Sequence, residues 1–144
     1  MTLKQLIKLE DKAKEVWVVS PSLHYDVENK EFTELVSVNR GQRTKYKYIA
    51  PATKSIHKNI DAYKKMYNLS EAEVASTFLL LPESDFIPFT MEIGIYNGSS
   101  DDCVACAGPA LEEGNEVIQF NAETSKEMAK SFKAIWKKYL RTNP

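Results

Sequence analysis

The sequence has little cysteine, glycine and proline, and it lacks a long apolar run. Its 144 residues include two cysteines, five glycines and six prolines. Two cysteines are too few for the disulfide framework of a small secreted protein, and so little glycine and proline excludes a collagenous or low-complexity chain. No stretch of about 18 apolar residues occurs, which predicts that no helix spans a membrane. The first fifteen residues lack a signal-peptide core, which favours a cytoplasmic location.

The composition is that of a folded domain. Apolar residues make up 43% of the chain and charged residues 27%, a balance typical of soluble globular proteins. A chain of this length buries enough surface to fold without a metal or disulfide. We therefore predict a single α/β domain over residues 1–144. Its abrupt start in a helix at Thr2 is compatible with a domain cut from a longer protein.

Charge is distributed unevenly although the net charge is only −1. Residues 37–65 hold eight basic side chains and one acid, residues 66–125 hold eleven acids and no lysine or arginine, and residues 126–141 hold six basic side chains and one acid. Such segments either create a dipolar surface that steers ligands or lie on solvated faces whose fields cancel. The net charge excludes a molecule attracted as a whole to polyanions.

The first half of the chain alternates helices and strands. Apolar spacing predicts a helix over Leu3–Lys14, and Val16–Val19, apolar on both faces, predicts a buried central strand. A helix capped by Asp26 follows and ends at Asn39-Arg40-Gly41, where the glycine is expected to be left-handed. Lys45–Ala50 is a strand stopped by Pro51, so a strand–helix–strand unit with parallel strands is expected.

The second half begins with helices and becomes mainly strands. A helix started by Thr53 or Ser55 precedes a capping box formed by Ser70 and Glu73. Four strands follow and then a helix capped by Thr124 with Glu127; the strands are Thr77–Leu81, Met91–Tyr96, Cys103–Gly108 and Glu116–Phe120. This order predicts the α/β class, with a mixed central sheet flanked by helices.

The two cysteines do not form a convincing metal or redox site. Cys103 and Cys106 are three positions apart in a predicted strand, so their thiols face opposite sides of the sheet. A structural zinc site needs four ligands, and no second pair accompanies them. We predict no metal and no cofactor.

Three features remain as candidates for ligand binding. His24 follows the first strand, at the edge where open α/β sheets bind ligands, and is a candidate base or nucleophile. Arg40, Arg43 and Lys45 lie close in sequence to two tyrosines, a combination that suits phosphate binding and base stacking. In a strand, however, Tyr46 and Tyr48 share one face and Lys45 and Lys47 share the other, whereas a nucleic-acid groove needs rings and charges on the same face. Glu92 is a lone carboxylate in an apolar strand, which predicts either an ion pair with Arg40, Arg43 or Lys45 or a ligand contact.

Short motifs along most of the chain resemble the phospholipase D-like domains of bacterial proteins. The motifs are Val16-Trp17-Val18-Val19-Ser20, Phe32, Asn39-Arg40-Gly41, Tyr46-Lys47-Tyr48-Ile49-Ala50-Pro51, Glu92-Ile93-Gly94-Ile95-Tyr96, and Phe132 with Trp136. Active members carry His-x-Lys-x4-Asp, whose histidine attacks phosphorus. Here Asp26 stands two residues after His24 and Asn59 two after His57, so no catalytic residue carries over. The resemblance implies the fold of one phospholipase D-like half without its chemistry.

These observations favour a non-catalytic ligand-sensing or protein-interaction domain, regulatory in role. Its ligand surface is predicted at the strand-end edge formed by Ser20–Tyr25 and Ala50–Lys54, with Arg43 and Glu92 as candidates. One alternative is a phosphodiesterase or nuclease using His24, and another is a nucleic-acid-binding domain using Arg40, Arg43 and Lys45. Because active members of the resembled family pair two halves, we also expect a symmetric homodimer, formed by the Tyr46–Tyr48 strand or the last helix.

Overall fold

The computed structural model describes residues 1–86, 91–109 and 116–142, and in it six strands form one mixed sheet with helices on both faces. The strands are β1 Glu15–Val19, β2 Lys45–Pro51, β3 Phe78–Leu81, β4 Met91–Tyr96, β5 Val104–Pro109 and β6 Ile118–Gln119. The helices are α1 Leu3–Lys12, α2 His24–Glu28, α3 Lys30–Gly41, α4 Lys54–Met66, α5 Glu71–Thr77 and α6 Ala122–Thr142. This arrangement confirms the predicted α/β class. Within the described ranges, no helix combines the length and apolar character needed to cross a membrane.

The sheet order is β3-β2-β1-β4-β5-β6, with β1 at its centre. β1, β2 and β3 run parallel, whereas β4 pairs antiparallel with β1 and with β5, and β5 with β6. The parallel strand–helix–strand unit is therefore confirmed. The central position of β1 explains its apolar run, because a strand paired on both sides and covered on both faces buries its middle residues, here Val16, Trp17 and Val18, whichever way they point.

Alternation along β1 divides the core between two faces of the sheet. Val16 and Val18 point to the side covered by α1–α4, which we call the α1–α4 face, where they pack with Tyr48 and Tyr63. Trp17 points to the opposite α6 face and stacks on Phe132 with ring centroids 5.1 Å apart. Each face therefore has its own aromatic core.

Several local predictions are confirmed by hydrogen bonds. Thr53 caps α4 by accepting from the amide of Ile56 at 3.2 Å. The Ser70 hydroxyl accepts from the Glu73 amide at 3.1 Å, and the Glu73 carboxylate accepts from the Ser70 amide at 3.0 Å. The capping box is thus complete, and it stabilises α5 at its start.

The predicted helix from Asp26 to Gly41 is wrong as a single element. Asn29 is extended and separates α2 from α3, and its side chain caps α3 by accepting from the Phe32 amide at 3.2 Å. Asp26 is buried within α2 and caps nothing. Gly41 is the last helical residue, and the left-handed residue of this turn is Arg43, with φ of 67°.

The cap of the last helix lies three residues earlier than the sequence predicts. α6 begins at Ala122, and the side-chain oxygen of Asn121 accepts from the amide of Thr124 at 2.8 Å. Thr124 therefore lies within the first turn and is not its cap. Asparagine is as strong an N-cap as threonine, so the pattern alone did not separate the two positions.

Candidate functional site

The predicted ligand residues lie in two separate regions of the molecule. Glu92 and Arg40 are on the α1–α4 face, and His24 is the first residue of α2 beside them. Arg43 and Lys45 are exposed and line a shallow depression with Lys14 at the amino ends of β1 and β2. The ligand surface predicted from the sequence, Ser20–Tyr25 and Ala50–Lys54, lies at the carboxyl ends of β1 and β2. Arg43 precedes β2 and is therefore at the opposite end of the strands, so its predicted place on that surface is wrong.

The tyrosines beside the basic stretch are not available to stack bases. Tyr46 and Tyr48 are 4% and 1% exposed, with their rings stacked 6.1 Å apart inside the core. Lys47 faces the other way and lies over the Trp136 ring, 5.0 Å from its centroid. The predicted split between tyrosine and lysine faces is confirmed, and the stacking role proposed for these tyrosines is wrong.

A group of carboxyl and tyrosine side chains occupies the α1–α4 face, all of them buried except the half-buried Arg40 and Glu92, and we call it the carboxyl–tyrosine cluster. Its members are Glu10, Asp26, Arg40, Tyr46, Tyr48, Tyr63 and Glu92. The hydroxyl of Tyr46 donates to the carboxyl of Glu10 at 3.0 Å. Tyr48 donates a hydrogen bond to the carboxyl of Asp26. Strand β2 thus joins both acidic side chains, because Tyr46 and Tyr48 lie two residues apart and share one strand face.

Arg40 enters the cluster through its aromatic side chains. Its Nε donates to the Tyr63 hydroxyl at 3.0 Å, and that hydroxyl lies 3.1 Å from the hydroxyl of Tyr48. The guanidinium carbon lies over the rings of Tyr46 and Tyr63, 5.5 and 5.2 Å from their centroids. Arg40 is half-buried against these rings, and a continuous chain of polar groups runs from it through Tyr63 and Tyr48 to Asp26.

The three acidic side chains of the cluster line one cavity of about 50 Å³. Glu10 comes from α1, Asp26 from α2 and Glu92 from β4. Its wall also contains the rings of Tyr25, Phe32 and Tyr96 and the thiol-bearing residue Cys106. The site therefore combines carboxyl groups and aromatic rings in a small space bounded by helices on one side and the sheet on the other.

Burial raises the pKa of all three carboxyls, and repulsion from Asp26 adds to the rise for Glu10 and Glu92. Burial, and then the neighbouring charge of Asp26, raise the pKa of Glu92 to about 8, against a hydrogen bond from Ser20. Burial raises the pKa of Asp26 to about 6, although Tyr48 and the charge of Arg40 lower it. Burial and the charge of Asp26 also hold the pKa of Glu10 well above its ordinary value. At neutral pH Glu92 is therefore mainly protonated, whereas Asp26 is mainly ionised.

The surrounding hydroxyl and thiol groups remain protonated. Burial raises the pKa of Tyr46, Tyr48, Tyr63 and Tyr96. It also raises the pKa of Cys106 to about 11. These groups consequently act as hydrogen-bond donors and not as nucleophiles at neutral pH.

Glu92 does not form the predicted ion pair with a basic residue. Arg40 bonds to Tyr63, and Arg43 and Lys45 are exposed near the amino ends of β1 and β2. The charged groups that act on Glu92 include Asp26, a like charge. Glu92 instead lies in a cavity whose other polar and aromatic lining residues include Glu10, Asp26 and Tyr96.

Sequence reasoning missed Glu10 and Asp26 for identifiable reasons. Glu10 stands among the charged residues of an amphipathic helix and is nevertheless only 3% exposed. Asp26 has the residue type and position of a helix cap. The detectable signal was the pair Tyr46 and Tyr48, since buried tyrosine hydroxyls require partners.

His24 and the two cysteines lie apart from one another, and of the three only Cys106 lines the cavity. Nδ1 of His24 lies 2.8 Å from a carboxylate oxygen of Glu28. Cys106 packs on the α1–α4 face and Cys103 on the α6 face, as the strand spacing predicts. Among the residues with described positions, no set of three or more histidine, cysteine, aspartate or glutamate side chains has the geometry to hold a metal ion.

A second, larger cavity of about 390 Å³ lies on the α6 face. Apolar residues of β1, β2, β3 and β4 and of α6 line it, with Asp85 and Glu127 among its polar residues. Comparison with known proteins does not favour either cavity, because no protein-family model, curated protein or solved structure matches the chain.

Proposed function

We propose that this domain is a non-catalytic ligand-sensing module whose cavity in the carboxyl–tyrosine cluster binds a small organic cation of the primary-amine class. The observation that carries the proposal is that Glu10, Asp26 and Glu92 line one cavity, whereas none of the described residues that line it is basic. A structural role does not require three acids in one place. Arrangements that oppose folding are expected mainly at functional sites.

Electrostatics favours a cation over other ligands. Burying a carboxylate without a partner is unfavourable, and neighbouring carboxylates repel each other. An ammonium group placed among them supplies three donors and a compensating charge. The rings of Tyr25, Phe32 and Tyr96 add faces that attract cations. The carboxyl groups and the aromatic rings of the cavity therefore both favour a cationic ligand.

The size of the cavity limits the part of the ligand that it holds. A volume of about 50 Å³ suits a few water molecules or one small polar head. An ammonium or methylammonium group fits this space. A larger amine extends from it toward solvent.

The proposal includes the role and the family resemblance that the sequence predicts. We retain a phospholipase D-like half, regulatory and cytoplasmic, because the motifs quoted above span most of the chain. Lack of the family's lysine beside His24 supports a role without catalysis. The rival phosphodiesterase requires turnover of bis-nitrophenyl phosphate that disappears in His24→Ala. The rival nucleic-acid binder retains exposed Arg43 and Lys45 but loses its aromatic partners, since the tyrosines are buried.

A ligand titration tests the proposal. At pH 7.5, methylammonium chloride should raise the melting temperature with saturation, whereas sodium chloride and methanol at equal concentration should not. Glu92→Gln should abolish the saturable part, and Glu34→Gln, a change at an exposed position of α3, should retain it. Equal effects of sodium and methylammonium, or a saturable effect unchanged in Glu92→Gln, would overturn the proposal.

A further inference from the structure

We propose that the cavity of about 390 Å³ on the α6 face, which we call the α6 groove, is a second binding site and takes a hydrophobic amine, an aromatic ring with a short ammonium arm. The acidic side chains of the groove are Asp85 and Glu127. Neither belongs to the carboxyl–tyrosine cluster, so this inference does not depend on the function proposed above.

The α6 groove lies at the carboxyl ends of the parallel strands. Val19, the last residue of β1, is paired with Ile49 of β2 on one side and with Ile93 of β4 on the other, and all three line the groove. The chain passes from β3 on one side of β1 to β4 on its other side, so the strand order reverses at β1. In open α/β sheets, ligands bind outside the carboxyl ends of the strands at such a reversal.

The floor of the groove consists of buried side chains. Ile49, Leu81 and Ile95 line the groove and are nevertheless buried. Protein interiors contain few voids larger than a water molecule, because empty space forfeits packing contacts. The volume of about 390 Å³ between α6 and the sheet lies in the range of small-molecule sites. A ring system placed there contacts the helix and the sheet together, which a flat apolar surface does not allow.

The wall formed by α6 is partly polar. Thr124, Glu127 and Ser131 line the groove at successive turns of the helix. A helix that packed fully on the sheet would place apolar side chains at these positions. Hydroxyl and carboxylate oxygens beside a hydrocarbon floor instead accept hydrogen bonds from a ligand that has both an apolar and a polar part.

The charges of the groove select a cation. Asp85 and Glu127 are the charged residues among the described residues that line it, and both are acidic. The hydroxyl of Tyr139 donates to the carboxylate of Asp85 at 3.2 Å, which fixes that carboxylate beside α6. The rings of Phe86 and Phe132 add faces that attract cations. An ammonium group is attracted to these carboxylates, whereas a ligand carboxylate of the same shape is repelled.

Two lysines on this face of the sheet contact tryptophan rings and do not line the groove. Lys47 lies over the Trp136 ring and Lys133 over the Trp17 ring, 5.0 and 5.5 Å from the centroids. Neither therefore neutralises the carboxylates within the groove.

Methyl-detected NMR of the full chain tests the proposal, with phenylethylamine as the probe. The methyl signals of Ile49, Leu81 and Ile95 should shift with saturation, and those of Ile56 and Ile60 on the α1–α4 face should not. Phenylpropionate, which has the same ring and linker and the opposite charge, should bind several-fold more weakly. Equal affinity for the two molecules, or no saturable shift of the groove methyls, would overturn the proposal.

The same titration separates this site from the carboxyl–tyrosine cluster. Methylammonium, which has no ring, should not shift the groove methyls. Glu92→Gln should leave the response to phenylethylamine unchanged, because Glu92 does not line the groove. Loss of the response in Glu92→Gln would mean that the amine acts through the cluster and would overturn the second site.

Substitutions at exposed positions of α6 locate the ligand. Ser131→Trp places an indole in the groove and should abolish the saturable shifts, whereas Ala134→Trp, which does not line the groove, should retain them. Glu127→Gln should weaken binding by about two- to fivefold, as expected for one exposed charge pair, and Glu123→Gln should not. Retained binding in Ser131→Trp, or equal affinities in Glu127→Gln and Glu123→Gln, would overturn the proposal. Groove methyls that respond to dilution of the protein and not to the amine would assign the groove to a second copy of the chain and would also overturn it.

Discussion

At the residue scale, hydrogen-bond donors and neighbouring charges together determine how far the pKa of each carboxyl in the cavity rises. Asp26 accepts from Tyr48 and lies near Arg40, and its pKa rises only to about 6. Glu92 has a hydroxyl donor in Ser20 and a like charge in Asp26, and its pKa rises to about 8. Donors to the ionised form oppose burial, and nearby negative charge reinforces it. The two side chains thus titrate differently although they share one cavity.

This difference gives a prediction for Tyr48→Phe. Removing the hydroxyl deletes the bond that lowers the pKa of Asp26, so that pKa should rise by about one unit. Carbon-13 NMR of the aspartate carboxyls measures the shift. Tyr139→Phe is the matched control, because its hydroxyl donates to the exposed side chain of Asp85, and it should leave Asp26 unchanged. An unaltered Asp26 titration in Tyr48→Phe would show that this hydrogen bond does not stabilise the carboxylate.

Only one carboxyl of the candidate site was visible in the sequence. Glu92 attracts attention because it interrupts the apolar strand Met91–Tyr96. Glu10 and Asp26 do not, since acids are ordinary in amphipathic helices and at helix starts. Their burial results from the packing of α1 and α2 on the tyrosines of β2, a tertiary contact that local pattern does not encode.

At the scale of elements, the turn between α3 and β2 contains backbone strain. Arg43 has φ of 67°, a conformation that costs a residue with a side chain about 1–2 kcal/mol. Arg43→Gly should therefore increase the free energy of unfolding by about 0.5 kcal/mol, since the greater freedom of unfolded glycine offsets part of the relief. Urea unfolding measures it. Arg43→Ala removes the same charge but retains the strain, so equal stability of the two variants would contradict this explanation.

The same turn shows why element positions were predicted better than their ends. The β-branched and aromatic runs of β1 and β2 and the apolar spacing of α4 are strong local signals, and the structure has these elements where the sequence predicts them. The separation of α2 from α3 at Asn29 was missed because Asn29 interrupts an otherwise helical pattern by a single extended residue. Gly41 was expected to be left-handed from its residue type, but the helix extends through it and the turn occurs at Arg43.

At the scale of the whole molecule, the two faces of the sheet have different characters. The α1–α4 face holds carboxyl groups, tyrosines and the half-buried Arg40. The α6 face is mainly aliphatic and aromatic, and the cavity of about 390 Å³ lies beside α6. Because Tyr46 and Tyr48 belong to the core, they do not contribute to the predicted homodimer. Of the two elements predicted to form the homodimer, only the last helix, α6, therefore remains.

The homodimer stays a prediction, and α6 gives it a specific test. Ile135 and Leu140 are 37% and 54% exposed on this helix, and Ile135 also lines the adjacent cavity. Exposed apolar groups next to an apolar depression favour association, and two-fold pairing is the commonest form. Sedimentation at micromolar concentration should show a species of about twice 16.4 kDa. Ile135→Asp should convert it to monomer, whereas Val38→Asp, at an exposed apolar position on α3, should not. A single 16.4 kDa species of the unmodified protein, unchanged by concentration, would exclude the dimer.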